Sequence, residues 1–284
     1  VVAQFIAIAA SPMLTRVYVP EDFGVFAVFS SFVGILSVAA SYRYEMAIPI
    51  SINVTDAENL FLVSLFMILL NTVILSIFLP HISLIICRFS HLKKLIPYIW
   101  LLPIGFFTVL FLQVLNFMAI RKKEYSLLGK TRILRSIFQV ISQLFVGIYT
   151  TGSIGLMIGY IIGGIGAINN FAFAWWVKDK RLIKAISIKK SIKTAWQYRK
   201  FPFYMAAASI LNVAGLHLPA FLFALYYGPK IAGFFFLTQK VIAVPITLVG
   251  RSISEVFLGE AATMSRADPA GLKILFKKLN SKLF

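Results

Sequence analysis

A single cysteine, Cys87, stands among 284 residues, so an internal disulfide framework and a thiolate metal centre are both excluded. Carboxylates are also scarce: ten Asp and Glu against 28 Lys and Arg. Charged residues of both signs make up 13% of the chain, about half the roughly 25% usual in soluble domains. That is too little charge to cover a water-soluble particle of this size. The three histidines, His81, His91 and His217, are scattered and lack the HxxxH or HxxE spacing of a metal site. A Walker loop, a GxSxG elbow and a GxGxxG turn after a strand are missing too. These absences exclude an ordinary cytosolic enzyme, a disordered chain and a disulfide-stapled secreted domain. No enzyme activity, cofactor or metal is expected.

What is present is apolar. The apolar set reaches 60% with a mean hydropathy of +0.87, the composition of a polytopic membrane protein. The net charge of +18 would fit a nucleic-acid binder only on a water-facing basic surface. Here the basic residues lie in short connections between apolar runs, where orientation in the bilayer and contact with anionic lipid account for them. No cleavable signal peptide is legible at the start. The chain reads as a fragment of something longer.

Eight apolar segments are expected to be helices: Val1–Leu14, Val25–Ala40, Leu60–Leu79, Leu95–Ile120, Ile133–Tyr149, Ile154–Val177, Phe203–Tyr227 and Ile231–Gly250. Period-two alternation, the mark of a barrel strand, is absent. Counted by connection, 21 Lys and Arg fall in the even-numbered loops and the final tail and five in the odd-numbered loops, with Arg135 within the fifth segment and Lys240 within the eighth. This bias places both termini and the even loops in the cytoplasm.

The longest polar connection, Lys178–Lys200, carries Ile188, Ile192 and Trp196 at every fourth residue, with Lys189, Lys190, Lys193 and Lys200 mainly off that stripe. It reads as a basic amphipathic helix on the inner membrane face, where it could equally serve only to anchor the topology. A faint repeat flanks it. Pro12-x5-Tyr18-x-Pro20-x3-Gly24-x-Phe26 is echoed by Pro219-x6-Tyr226-x2-Pro229-x3-Gly233-x-Phe235. Six helices separate the copies, so they would point the same way, as in parallel transporter repeats.

None of the carboxylates lies near the centre of an apolar segment, whereas an exporter of cationic drugs would need one at membrane depth. Cations occupy such places instead: Arg16, Arg43, Arg135, Lys240 and Arg251 adjoin or enter apolar runs. They are the candidate substrate-binding residues, because a phosphate or pyrophosphate cargo needs cations and Arg offers bidentate geometry. The bland alternative is snorkelling to the interface; for Arg43 a local ion pair with Glu45 is a further one. His217 and Asn212 read as packing or interhelical hydrogen-bonding groups, and the run Gly163-Gly164-Ile165-Gly166 as a close helix contact rather than a phosphate loop. Pro12, Pro103, Pro219 and Pro245 are expected to kink or break their helices, as near transporter substrate paths.

Ser11-Pro12-x3-Arg16-x-Tyr18-x-Pro20-Glu21-Asp22-Phe23-Gly24-x-Phe26, followed by Arg43-Tyr44-Glu45-x-Ala47-Ile48, resembles the opening of bacterial polysaccharide-biosynthesis flippases of the Wzx (O-antigen) type. Asn116-x4-Arg121-Lys122-Lys123, Phe201-Pro202, Leu218-Pro219, Tyr227-Gly228, Ala232-Gly233-Phe234 and Pro245 through Val256-Phe257 extend the likeness over nearly the whole chain. Those proteins belong to the MOP exporter superfamily with MurJ lipid II flippases and MATE drug exporters. The resemblance implies an all-α, two-lobe membrane architecture around a cationic cavity. Its units here would be a six-helix lobe (1–177), a cytoplasmic basic linker (178–202) and a second lobe (203–284) with only two of its helices. It also implies translocation, by alternating access across the bacterial inner membrane, of an undecaprenyl-pyrophosphate-type lipid-linked oligosaccharide, an O-antigen, capsule or exopolysaccharide repeat unit. Implied partners are that lipid, anionic membrane lipid and polysaccharide polymerase machinery. The alternatives are a MATE-like cation-coupled exporter and a membrane-embedded glycan enzyme. Against the enzyme, the longest outward loop, Pro80–Lys94, is short.

Overall fold

The computed structural model describes residues 2–40, 42–178 and 188–267, and every regular element among them is helical. The order is α1 (Val2–Ala9), α2 (Ser11–Val17), α3 (Pro20–Ala40), a 3-10 turn (Tyr44–Ala47), α4 (Val54–Cys87) and a 3-10 segment (Ser90–Tyr98). There follow α5 (Leu101–Arg121), α6 (Tyr125–Tyr149), α7 (Ile154–Lys178), α8 (Ile188–Gln197), a π-helical turn (Phe201–Met205), α9 (Ala206–Tyr227) and α10 (Pro229–Ala267).

Each expected apolar segment is helical, with informative shifts. The first is broken at Ala10, and Pro12 sits in the opening turn of α2, where its missing N–H has no intrahelical acceptor to lose. Pro103 likewise falls in the first turn of α5 and kinks nothing. Pro80 and Pro219 lie inside α4 and α9. The expected outward loop Pro80–Lys94 is therefore mostly helix: α4 runs through Pro80 to Cys87, because the apolar residues beyond the proline still favour a buried, hydrogen-bonded backbone. Five of the described helical stretches are long and apolar enough to cross a membrane: Pro20–Val38, Val54–Cys87, Leu101–Arg121, Ile154–Trp175 and Phe201–Tyr227. The sixth helix dilutes its apolar run with Arg132, Arg135, Gln139 and Gln143.

Helix α3 is the hub. Phe23, Val28, Phe29 and Val33 are buried on different faces, and α5, α7, α9 and α10 pack around it. A helix apolar on all sides belongs in such a core. Helix α4 behaves oppositely: Phe66, Leu70, Val73, Ile77 and Phe78 are exposed, the pattern of a face turned to lipid. Its length of 34 residues, about 51 Å at 1.5 Å per residue, exceeds a hydrocarbon core of roughly 30 Å.

The two copies of the repeat meet each other. Pro20 and Pro229 open α3 and α10, and these helices lie together at Gly24 and Gly233. Helices α6 and α7 form the most intimate pair. A Cβ on Gly163 would stand 2.7 Å from the Gln139 Cβ, and one on Gly166 2.5 Å from the Phe138 ring. The glycine run is thus a packing device.

Of the polar connection after α7, residues 179–187 lie outside the described residues. Helix α8 packs on α4 with Thr194 buried, and the Ser191 hydroxyl donates to Asn59 Oδ1 at 3.0 Å. Ile192 and Trp196, from the expected apolar stripe, face away from the protein. The Arg199 guanidinium lies over the Trp196 ring, 4.3 Å from its centroid.

Candidate functional site: a chamber with cations on its walls

A chamber of about 540 Å³ opens between α3, α5, α6, α7, α9 and α10. Its walls follow from helical spacing. Gln139 and Gln143 lie one turn apart on α6 and both face in, while α7 adds Tyr160 and α3 adds Ser30, Ser31 and Ser37. From the other side α9 presents His217 and α10 presents Gln239 and Lys240. A second space of about 370 Å³ shares Val109 and Gln113 with the first and is lined by Arg135, Asn116 and Ser254. No carboxylate lines either space among the described residues.

Arg43 reaches the larger chamber from the connection after α3. Tyr42 and Arg43 adopt φ of 48° and 57°, a left-handed pair that costs non-glycine residues roughly 1–2 kcal/mol each. The turn is held from several directions. Arg43 Nη1 lies 3.5 Å from Glu45 Oε1, the same oxygen accepts from Gln113 Nε2 at 3.0 Å, and Glu45 is fully buried. The local ion pair read from the sequence is therefore formed, and it coexists with the place on the chamber. The Tyr44 hydroxyl donates to the Ala195 carbonyl of α8 at 3.4 Å, and burial pushes the Tyr44 phenol up from its ordinary pKa. At the end of α5, Arg121 spans the rest of the connection. Its Nη1 donates to the carbonyls of Ile48 (3.0 Å), Pro49 (3.3 Å) and Ser51 (2.8 Å), and its Nη2 to that of Asn53 (2.9 Å).

Lys240 and His217 form the opposite wall. Among the described residues no carboxylate pairs with Lys240. The neighbouring Gln239 amide donates to the Leu216 carbonyl at 3.4 Å and so ties α10 to α9. The Ser31 hydroxyl of α3 donates to the His217 carbonyl at 3.2 Å. Gly34 leaves room for the imidazole, since a Cβ there would come to 2.5 Å from Nε2.

The five candidate cations thus separate. Arg43 and Lys240 share the larger chamber. Arg135 lies in the adjoining space and stacks over the Tyr160 ring, 5.5 Å from its centroid. Arg16 is exposed at the end of α2 and lines neither space. Arg251 belongs to α10, but its side chain lies outside the described residues. Asn212 is exposed, whereas His217, expected to serve packing, faces the chamber. The neutral wall carries no charge to mark it in the sequence. Its signal is the four-residue spacing Arg135-x3-Gln139-x3-Gln143, which sets three polar groups on one face of an otherwise apolar helix.

Fold and chamber together define a multi-pass membrane protein, helical in every regular element of its described residues. It is similar to a solved multidrug resistance MATE family transporter of the MOP superfamily in an inward-facing conformation. The TM-score is 0.64 at 17% identity, covering 93% of this chain and 61% of that one. This likeness shows the fold, the two-lobe MATE arrangement, of which the present chain spans about three fifths. Residues 13–282 match the polysaccharide biosynthesis protein family, and the chain belongs to that family. No curated protein sequence matches it.

Proposed function

We propose that this chain forms the core of a flippase that carries polyprenyl-pyrophosphate-linked oligosaccharide across the bacterial inner membrane. The observation that carries the reading is the chamber itself, with Lys240 and Arg43 on its walls, neutral amides and hydroxyls between them, and no carboxylate among its described lining residues. A pyrophosphate needs cations in a low-dielectric site, and a glycan needs donors and acceptors in place of its water. The lipid tail would remain in the bilayer while the two repeat-related helix sets rock against each other. Family membership supports the glycan side of this reading.

The excess of Lys and Arg at the α8 end supports a cytoplasmic position for that end and for the N-terminal side of α1. The exposed Ile192 and Trp196, flanked by lysines, support contact of α8 with anionic lipid. The alternative, a MATE-like cation-coupled exporter of small molecules, has the fold likeness in its favour. A cavity lined by cations without carboxylates speaks against it.

Complementation tests the reading. The full-length gene is expressed in a flippase-deleted strain that carries the cognate sugar pathway, and surface polysaccharide is scored. Restoration is expected. Failure with the protein present in the membrane would sink the assignment and favour the exporter.

A further inference from the structure

The chamber divides its chemistry between its two sides. Among its described lining residues the basic groups on helices, Lys240 and His217, stand on α10 and α9, while α3, α5, α6 and α7 contribute only uncharged side chains. Arg43 enters from the connection after α3 and already faces Glu45. Lys240 therefore supplies the cationic charge that no described carboxylate offsets.

The neutral side has its own order. The Gln143 amide donates to the Leu156 carbonyl at 3.1 Å and the Gln113 amide to Glu45, so both are occupied with the protein. Gln139 makes no side-chain hydrogen bond among the described residues and lines the chamber. A primary amide offers donors and an acceptor together, which suits adjacent sugar hydroxyls. Beside it, the Tyr160 ring is fixed edge-on to Phe26 and Phe29, at centroid distances of 5.8 Å and 6.4 Å. Arg135 stacks on it from the adjoining space. A rigid ring with a polar tip can meet the apolar C–H face of a sugar at little entropic cost.

Resting on the flippase reading, we infer that the cargo lies across the chamber in a fixed sense, its phosphate against Lys240 on α10 and its saccharide against Gln139 and Tyr160 on α6 and α7. The anion subsite then takes any polyprenyl pyrophosphate, and the amide–aromatic wall selects the repeat unit. Arg135 is a positioning residue that acts through Tyr160.

The test uses the full-length protein in lipid nanodiscs, titrated with inorganic pyrophosphate and with sugar-free polyprenyl pyrophosphate. Lys240→Gln should weaken both by about tenfold or more, the loss of one charge-assisted contact, and Lys240→Arg should restore binding. Gln139→Ala should bind both probes as wild type does while exporting less of the cognate glycan. Melting midpoints equal to wild type confirm that each variant folds. Undiminished pyrophosphate binding by Lys240→Gln, or an equal loss in Gln139→Ala, would overturn the division. Pyrophosphate binding that depends on Lys240, in a wild-type protein that moves no glycan, would refute the flippase reading and leave the anion subsite standing.

Discussion

Gly24 of α3 and Gly233 of α10 pack reciprocally: a Cβ on Gly24 would collide with the Pro229 carbonyl, and one on Gly233 with the Pro20 carbonyl. Each glycine thus stands on the first residue of the other helix. Residues that the sequence pairs as equivalent members of a repeat are related in space by a local two-fold exchange. Only backbones without side chains can approach so closely, so this contact fixes where α3 and α10 meet.

Gly24→Ala or Gly233→Ala should destabilise the detergent-solubilised protein by about 1–3 kcal/mol, the usual cost of overpacking where backbone must move. Gly129→Ala and Gly215→Ala are the controls. Nothing lies within 4 Å of a Cβ at either site, and alanine in a helix should stabilise by about 0.5–1 kcal/mol. Thermal melting of the four variants checks this; equal melting points across all four would contradict it.

Arg121 links the end of α5 to four carbonyls of the Arg43-bearing connection. Lysine keeps the charge but lacks the planar fork, so Arg121→Lys should lower transport although Arg121 does not line the larger chamber. The expected signature is faster proteolysis between α3 and α4 with the protein still in the membrane. Wild-type cleavage and transport would show that the fork is dispensable.

Tyr18, in the connection between α2 and α3, is buried and donates from its hydroxyl to the Gln143 carbonyl at 2.6 Å. Burial, and secondarily the charge of Asp22, push its pKa up from 10.0 to about 12. The folded state therefore holds the neutral phenol, and the unfolded chain ionises first. Stability from this group is full below pH 10 and is lost as pH rises toward about 12. Tyr18→Phe should cost about 1 kcal/mol at neutral pH and flatten the alkaline decline in melting temperature. An unchanged decline would assign it to other groups.

Much of this arrangement is legible in the sequence, for reasons that can be named. Long apolar runs must be helices in lipid, so the segments are readable, and Lys240 beside Gln239 stands out because charge is rare there. Register is harder. Arg16 and Arg43 look alike as cations next to apolar runs, yet one ends on the surface and the other on the chamber. The left-handed turn at Tyr42 and Arg43 brings Arg43 there, and spacing does not encode it. Neutral amides such as Gln139 are ambiguous for another reason: they serve packing as readily as binding, and spacing does not tell the two apart. The continuation of α4 through Pro80 reflects the apolar context outweighing one lost hydrogen bond.

The most direct measurement is translocation of polyprenyl-pyrophosphate-linked oligosaccharide in proteoliposomes, comparing the full-length wild type with Lys240→Ala at equal protein content. Transport by the wild type is expected, with a loss of about tenfold or more in the variant, the effect of removing one charge-assisted contact in a low-dielectric site. Equal transport by the two proteins, or none by the wild type with its cognate glycan, would contradict it.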